Sequence, residues 1–174
     1  MKKILVAIDR SSTRTVVFEQ ALSIAKATGA TVMLLHVLSN QEKNSPTRIV
    51  AGYYEPILND AVEELYQKQW QAFEQEGVEL LRSFSERAIA NGVSAETTQL
   101  YGNPSRQICE LALNWEADLI VIGRRGLSGL KELLLGSVSN YVVHHAPCSV
   151  MVVHPPLLSE TDLQPESALT PTES

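Results

Sequence analysis

Cysteine is scarce in this chain of 174 residues, and Cys109 and Cys148 are the only two. They form no CxxC pair and no histidine stands at zinc spacing from them, which excludes a disulfide framework and a structural zinc site. Both are expected to be reduced and buried. Long apolar runs are also missing: nothing approaches the roughly 18 residues needed to span a bilayer, so no membrane association is expected. Met1-Lys2-Lys3 leads into a short apolar stretch, Ile4 to Ile8, too brief for a signal-peptide core, and the expected location is the cytoplasm. Positive charge is in deficit, with a formal net charge of −6 and no basic stripe to offset it. Such a chain repels a phosphate backbone, so nucleic acid is not an expected partner. No fixed-period repeat occurs, which removes solenoids and propellers. The GxxxxGKS/T P-loop, a GxGxxG after the first strand and a GxSxG elbow are all absent, so the common NTPase, dehydrogenase and hydrolase readings lose support.

What is present is an ordinary globular composition, 44% hydrophobic and 20% charged, long enough for one domain. Lys3 to Asp9 is an apolar run ending in a carboxylate and reads as a buried strand. Ser11 or Ser12 is placed to cap a helix in which Val17, Ala21, Ile24, Ala25 and Thr28 recur at helical spacing before Gly29 stops it. Thr31 to Leu38 is a second strand, parallel to the first across a βαβ crossover. Residues 40–58 carry no sustained periodicity and read as a long surface loop, a candidate lid. One long or bent helix is expected over 59–90, with Gly77 as its weak point and Asn91-Gly92 as its end. Val93 to Tyr101 alternates like a strand, and Asn103-Pro104-Ser105 opens a helix with Ile108, Leu111, Ala112 and Trp115 inward. Asp118 to Gly123 is the fourth strand, Val138 to His145 a helix, and Cys148 to Val153 the last strand. Residues 155–174 hold too little apolar surface to offset ordering entropy and are expected to be a disordered tail on a 1–154 domain. Five strands alternating with helices imply an α/β, doubly wound, open parallel sheet of the Rossmann-like type, with ligands at the carboxyl ends of its strands near Asp9 and Gly123.

The segment with chemistry begins at Gly123-Arg124-Arg125-Gly126, directly after a strand, and runs to Gly136-Ser137, which opens a helix. Glycine lets backbone N–H groups approach an anion, and a helix N-terminus offers unpaired donors and a positive dipole end. The hydroxyls of Ser137 and Ser139 are further donors. Alone, such glycines are better explained as turn residues; their spacing, G-x2-G-x9-G-S/T, is more specific. It resembles the ATP-binding motif of the universal stress proteins. The resemblance extends over residues 2–154: Lys3-Ile4-Leu5-Val6-Ala7-Ile8-Asp9, Leu35-His36-Val37, Gly102-Asn103-Pro104 and Ala146-Pro147-Cys148-Ser149-Val150 all fit it.

The resemblance implies a sheet of order 3-2-1-4-5 and a homodimer joined through the last strand. It implies ATP, with or without Mg²⁺, held by Ala7, Ile8, Asp9, Val37, Ile122, Gly123, Arg125, Gly126, Gly136, Ser137, Val138 and Ser139. Within that set Asp9 would bond the ribose and Val37 line the adenine pocket. Its chemistry alone favours a ribose acceptor or a Mg²⁺ ligand over a cap for the first helix. Arg124, Arg125 and Lys131 can screen a triphosphate or simply face solvent. His36 reads as a satisfied core histidine, His144-His145 as structural cations at a helix C-terminus, and Trp70 and Trp115 as core. Arg10 departs from the small residue that many members carry after the first-strand aspartate. The functional expectation is a nucleotide-responsive homodimeric regulator in stress adaptation with an unknown protein partner. The alternatives are a slow ATPase or autophosphorylating enzyme, or an interaction module for AMP or a cyclic dinucleotide; no catalytic residue and no resident metal are expected.

Overall fold

The computed structural model describes residues 1–40, 42, 44–47, 56–124 and 135–154, with side chains of the second helix from residue 61 onward. β1 (Lys3–Ala7), β2 (Thr31–Leu38), β3 (Ala95–Tyr101), β4 (Leu119–Gly123) and β5 (Ser149–Val153) form one sheet of order β3-β2-β1-β4-β5. All its pairings are parallel, with Ala7 opposite both Leu35 and Ile122. Between the strands run α1 (Arg14–Thr28), α2 (Pro56–Ala90), α3 (Pro104–Asn114) and α4 (Ser137–His145).

The three central strands β1, β2 and β4 are apolar on both faces, and period-two alternation sorts their side chains into two cores. Ile4, Val6, Val32, Leu34, Leu119 and Val121 pack under α1 and α2 with Val17, Phe18, Leu81 and Phe84. Leu5, Met33, Leu35, Ile120 and Ile122 pack under α3 and α4 with Ile108, Ala112 and Val142. Helices therefore cover both faces, as the alternation of elements implied. Phe18 and Phe84 meet at 4.7 Å between ring centroids, pinning α1 to α2. Removing one such ring would cost about 3–5 kcal/mol.

The chain adds β2 and β3 on one side of β1, then crosses to add β4 and β5 on the other. α1, which follows β1, and α4, which follows β4, lie on opposite faces of the sheet, and a crevice opens at that reversal, at the carboxyl ends of the two strands. Several local readings need correction. α1 is capped at Thr13, not at Ser11 or Ser12, because Ser11 is bound to Asp9 instead. β1 ends at Ala7, although the Ile8 amide still donates to the Leu35 carbonyl at 2.8 Å. α2 starts at Pro56, the position where a proline's missing N–H costs nothing. Cys109 and Cys148 are free but only half-buried, because both lie at the margin of the second core; partial burial raises both thiol pKa values. The tail from 155 and most of the 40–58 loop lie outside the described residues.

Candidate functional site

The crevice is an open cleft of about 870 Å³ with its mouth included. Ala7, Ile8, Asp9, Val37, Ile122, Gly123, Gly136, Ser137, Val138 and Ser139 all line it, drawn together from the ends of β1, β2 and β4 and the start of α4. Arg125 and Gly126, with Lys131, lie outside the described residues. Arg124 does not line the cleft; its guanidinium lies 3.4 Å from His154 Nδ1 beside β5.

At the β4 side Gly136 is the N-cap of α4 in an extended conformation, so the helix opens into the cleft. The amides of Ser137, Val138 and Ser139 stand in the first turn, where no carbonyl of the same helix can accept from them. Ser139 is buried, and its hydroxyl donates to the Gly136 carbonyl at 3.0 Å. That bond corrects the reading of Ser139 as a free donor: its proton is used inside the helix turn, and it offers its oxygen. Gly123 has a packing reason beside any functional one, since a Cβ there would lie 3.0 Å from Val17 Cγ2 and 3.3 Å from Thr13 Oγ1.

In the middle, Asp9 Oδ1 accepts from the Ser11 amide at 3.0 Å and from the Ser11 hydroxyl, which also pairs with Thr13 Oγ1 at 2.8 Å. The carboxylate therefore shapes the β1–α1 turn as well as lining the cleft, and it does not cap α1, whose N-cap is Thr13. On the β2 side stand Val37, Ser39 and Glu42, with Leu35 beneath. His36, fully buried, places Nε2 3.0 Å from Glu42 Oε1 and Nδ1 3.0 Å from Gln99 Oε1. Gln99 Nε2 donates to the Glu74 carbonyl at 3.1 Å, which leaves its Oε1 to accept, so His36 Nδ1 carries a hydrogen. Burial opposes a charge on His36, but its bonds to Glu42 and Gln99 and the charge of Glu42 outweigh that and raise its pKa above the ordinary 6.5. The reading of His36 as a satisfied core histidine agrees with this geometry. His145 Nδ1 likewise contacts the Tyr141 carbonyl at 2.8 Å within α4, and its ring stacks on Tyr141, consistent with a structural part.

Sequence reasoning missed Thr13, Val17, Leu35, Ser39, Glu42, Pro104 and Ile108 as cleft residues. Pro104 and Ile108 had a signal, since the helix opened by Asn103-Pro104 must start at the carboxyl end of β3. Glu42 had none, lying in a stretch without periodicity. No group of three or more potential metal-ligating side chains occurs among the described residues.

A family model described as the universal stress protein family matches residues 1–154. The chain belongs to the universal stress protein family. A universal stress protein of Synechocystis sp. is 36% identical over 154 residues, covering 87% of this chain and 96% of its own. A second from the same organism is 45% identical over 103 residues, covering 59% and 95%. Among solved structures, the universal stress protein UspA from Lactobacillus plantarum superposes with a TM-score of 0.63 at 27% identity, over 87% of this chain and 97% of that one. A family protein from Arabidopsis thaliana with AMP bound shares the fold at a TM-score of 0.56 and 23% identity, over 88% and 92%. Other solved members are in complex with cAMP and with dAMP. As a universal stress protein the chain keeps the family sheet order, and no helix among its described residues is long and apolar enough to cross a membrane.

Proposed function

We propose that this universal stress protein binds an adenine nucleotide, ATP in the first instance, in the switch-point cleft and acts as a cytoplasmic, homodimeric, nucleotide-responsive regulator. The observation that carries the reading is the convergence on one cleft of sequence-selected residues from β1, β2, β4 and the N-terminus of α4. Phosphates would meet the first-turn amides of α4 and the Ser137 hydroxyl, the ribose Asp9, and the base the apolar wall of Val37 and Ile108. Mg²⁺ would arrive with the phosphates, for the described residues of the cleft supply too few ligands to hold it alone. Three or four charge-assisted bonds of about 1.5–3 kcal/mol each, set against an association cost of about 4 kcal/mol or more, leave room for micromolar affinity.

A binder is favoured over an ATPase by what the cleft contains. Asp9, the carboxylate nearest the phosphate side among the described residues, already accepts from Ser11, and the Ser139 proton is committed to Gly136. Calorimetry of the full chain with ATP and Mg²⁺, with AMP and cAMP as competitors, tests the reading. Micromolar ATP binding without phosphate release supports it, steady release promotes the enzyme, and no binding removes it. Gly136→Val adds a branched side chain at the cap and should weaken ATP at least about tenfold in a folded protein. Unchanged affinity would refute the phosphate cradle.

A further inference from the structure

Glu42 is a carboxylate 7% exposed in the wall of an apolar-sided cleft, and burying a charge is costly unless its oxygens are met. Only one is. Oε1 faces His36 Nε2 at 3.0 Å, whereas Oε2 has no hydrogen-bond partner among the described residues. Arg10 does not complete it: its Nε stands 3.9 Å from Oε1, beyond hydrogen-bond reach, and is itself without an acceptor there. The rest of the guanidinium is engaged elsewhere, Nη1 with Glu76 at 2.5 Å and Nη2 with the Phe73 carbonyl at 2.6 Å, over the Phe73 ring. His36 is anchored in turn through Gln99 to the Glu74 carbonyl. The frame around Glu42 is thus locked to α2 and β3, and a single buried acceptor is left over.

The sheet order says which part of a ligand would meet it. β2, β1 and β4 are neighbours, and strands lie about 4.8 Å apart, so the end of β2 stands about 10 Å from the end of β4. The anion-seeking helix terminus is on the β4 side and Asp9 on β1, which leaves Glu42, four residues past the end of β2, opposite the far end of a nucleotide. A carboxylate repels phosphate and the oxo edge of a base, and accepts from an amino group. With one oxygen held by His36, it cannot make the bidentate pair that a guanine N1–H and N2–H edge invites.

We propose that Glu42 reads the base: its Oε2 accepts a hydrogen bond from the exocyclic amino group of adenine, and His36 is the positioning residue that holds the carboxylate. This rests on the reading of the cleft as an adenine-nucleotide site. The test is calorimetry of the full chain with ATP and with purine riboside triphosphate, which keeps the ribose and phosphates but lacks the amino group. A hydrogen bond to a charged acceptor corresponds to about tenfold to hundredfold, so the wild type should prefer ATP by that factor. Glu42→Ala should bind both equally, with circular dichroism as the folding control. Glu42→Gln can donate its amide to a neutral His36 and still present a carbonyl, so it should keep part of the preference. His36→Gln should lower the preference without weakening the analogue. Equal wild-type affinity for the two ligands, or an undiminished preference in Glu42→Ala, would overturn the assignment while the nucleotide reading stands. Failure of both ligands to bind would sink the nucleotide reading and this one with it.

Discussion

His36 gains its partners only on folding, so its proton is linked to stability. Its folded pKa lies above the unfolded 6.5, hence the contribution is fully present below that pH and is lost as pH rises through the raised folded value. The groups that set it are Glu42 from the segment after β2, Gln99 on β3 and, opposing, Arg10 after β1. Urea midpoints taken from about pH 6 to 9 should fall more steeply for wild type than for His36→Gln; parallel curves would mean that the pair titrates alike in both chain states. Gly77 belongs to the same cluster. As a sequence it is a weak point in a helix, where alanine would gain up to about 1 kcal/mol. In the fold, a Cβ at 77 would lie 2.2 Å from Gln99 Oε1 and 2.6 Å from His36 Nδ1. Gly77→Ala should therefore destabilise, by about 1–3 kcal/mol in chemical denaturation, the reverse of the propensity effect.

Elements were legible where a signal is local and lost where a contact from afar overrides it. Asn103-Pro104-Ser105 announced α3, and Asn103 Oδ1 does accept from the Arg106 amide at 3.3 Å and the Ser105 hydroxyl at 2.6 Å, with Pro104 at the first position. Asn103→Ala should cost about 1 kcal/mol in thermal or urea unfolding, and no loss would mean that water replaces the cap. Ser11 and Ser12 carried the same kind of signal before α1 and misled, because Asp9, two residues upstream, takes the Ser11 amide and hydroxyl and moves the cap to Thr13. The cleft shows the same division. Its glycines and α4 serines could be picked out by spacing, and Asp9 by its place at a strand end. Glu42 could not, because its partner His36 is fixed from β3 and α2, through a strand pairing and a glycine contact that no local window contains.

At the scale of the molecule the two ends of the sheet differ in chemistry. β3 ends it with Glu96, Thr97, Thr98 and Gln99, a polar edge, whereas β5 ends it with Val150, Met151 and Val152, half-buried apolar residues on a strand with one neighbour. An apolar edge strand invites pairing with another chain. The Arg124 amide donates to the Val153 carbonyl at 2.9 Å, so Val153 points its backbone groups toward β4. Backbone direction alternates along a strand, and Val152 therefore points its N–H away from β4. A dimer built by pairing β5 with a second β5 would use that donor, while the pairing with β4 would not. Val152→Pro thus removes an outward hydrogen bond and spares the inward ones, a setting in which a strand tolerates proline. Sedimentation equilibrium should find wild type dimeric and Val152→Pro shifted to monomer, with circular dichroism unchanged. A wild-type monomer would exclude the dimer, and a dimer indifferent to the proline would place the interface on another surface.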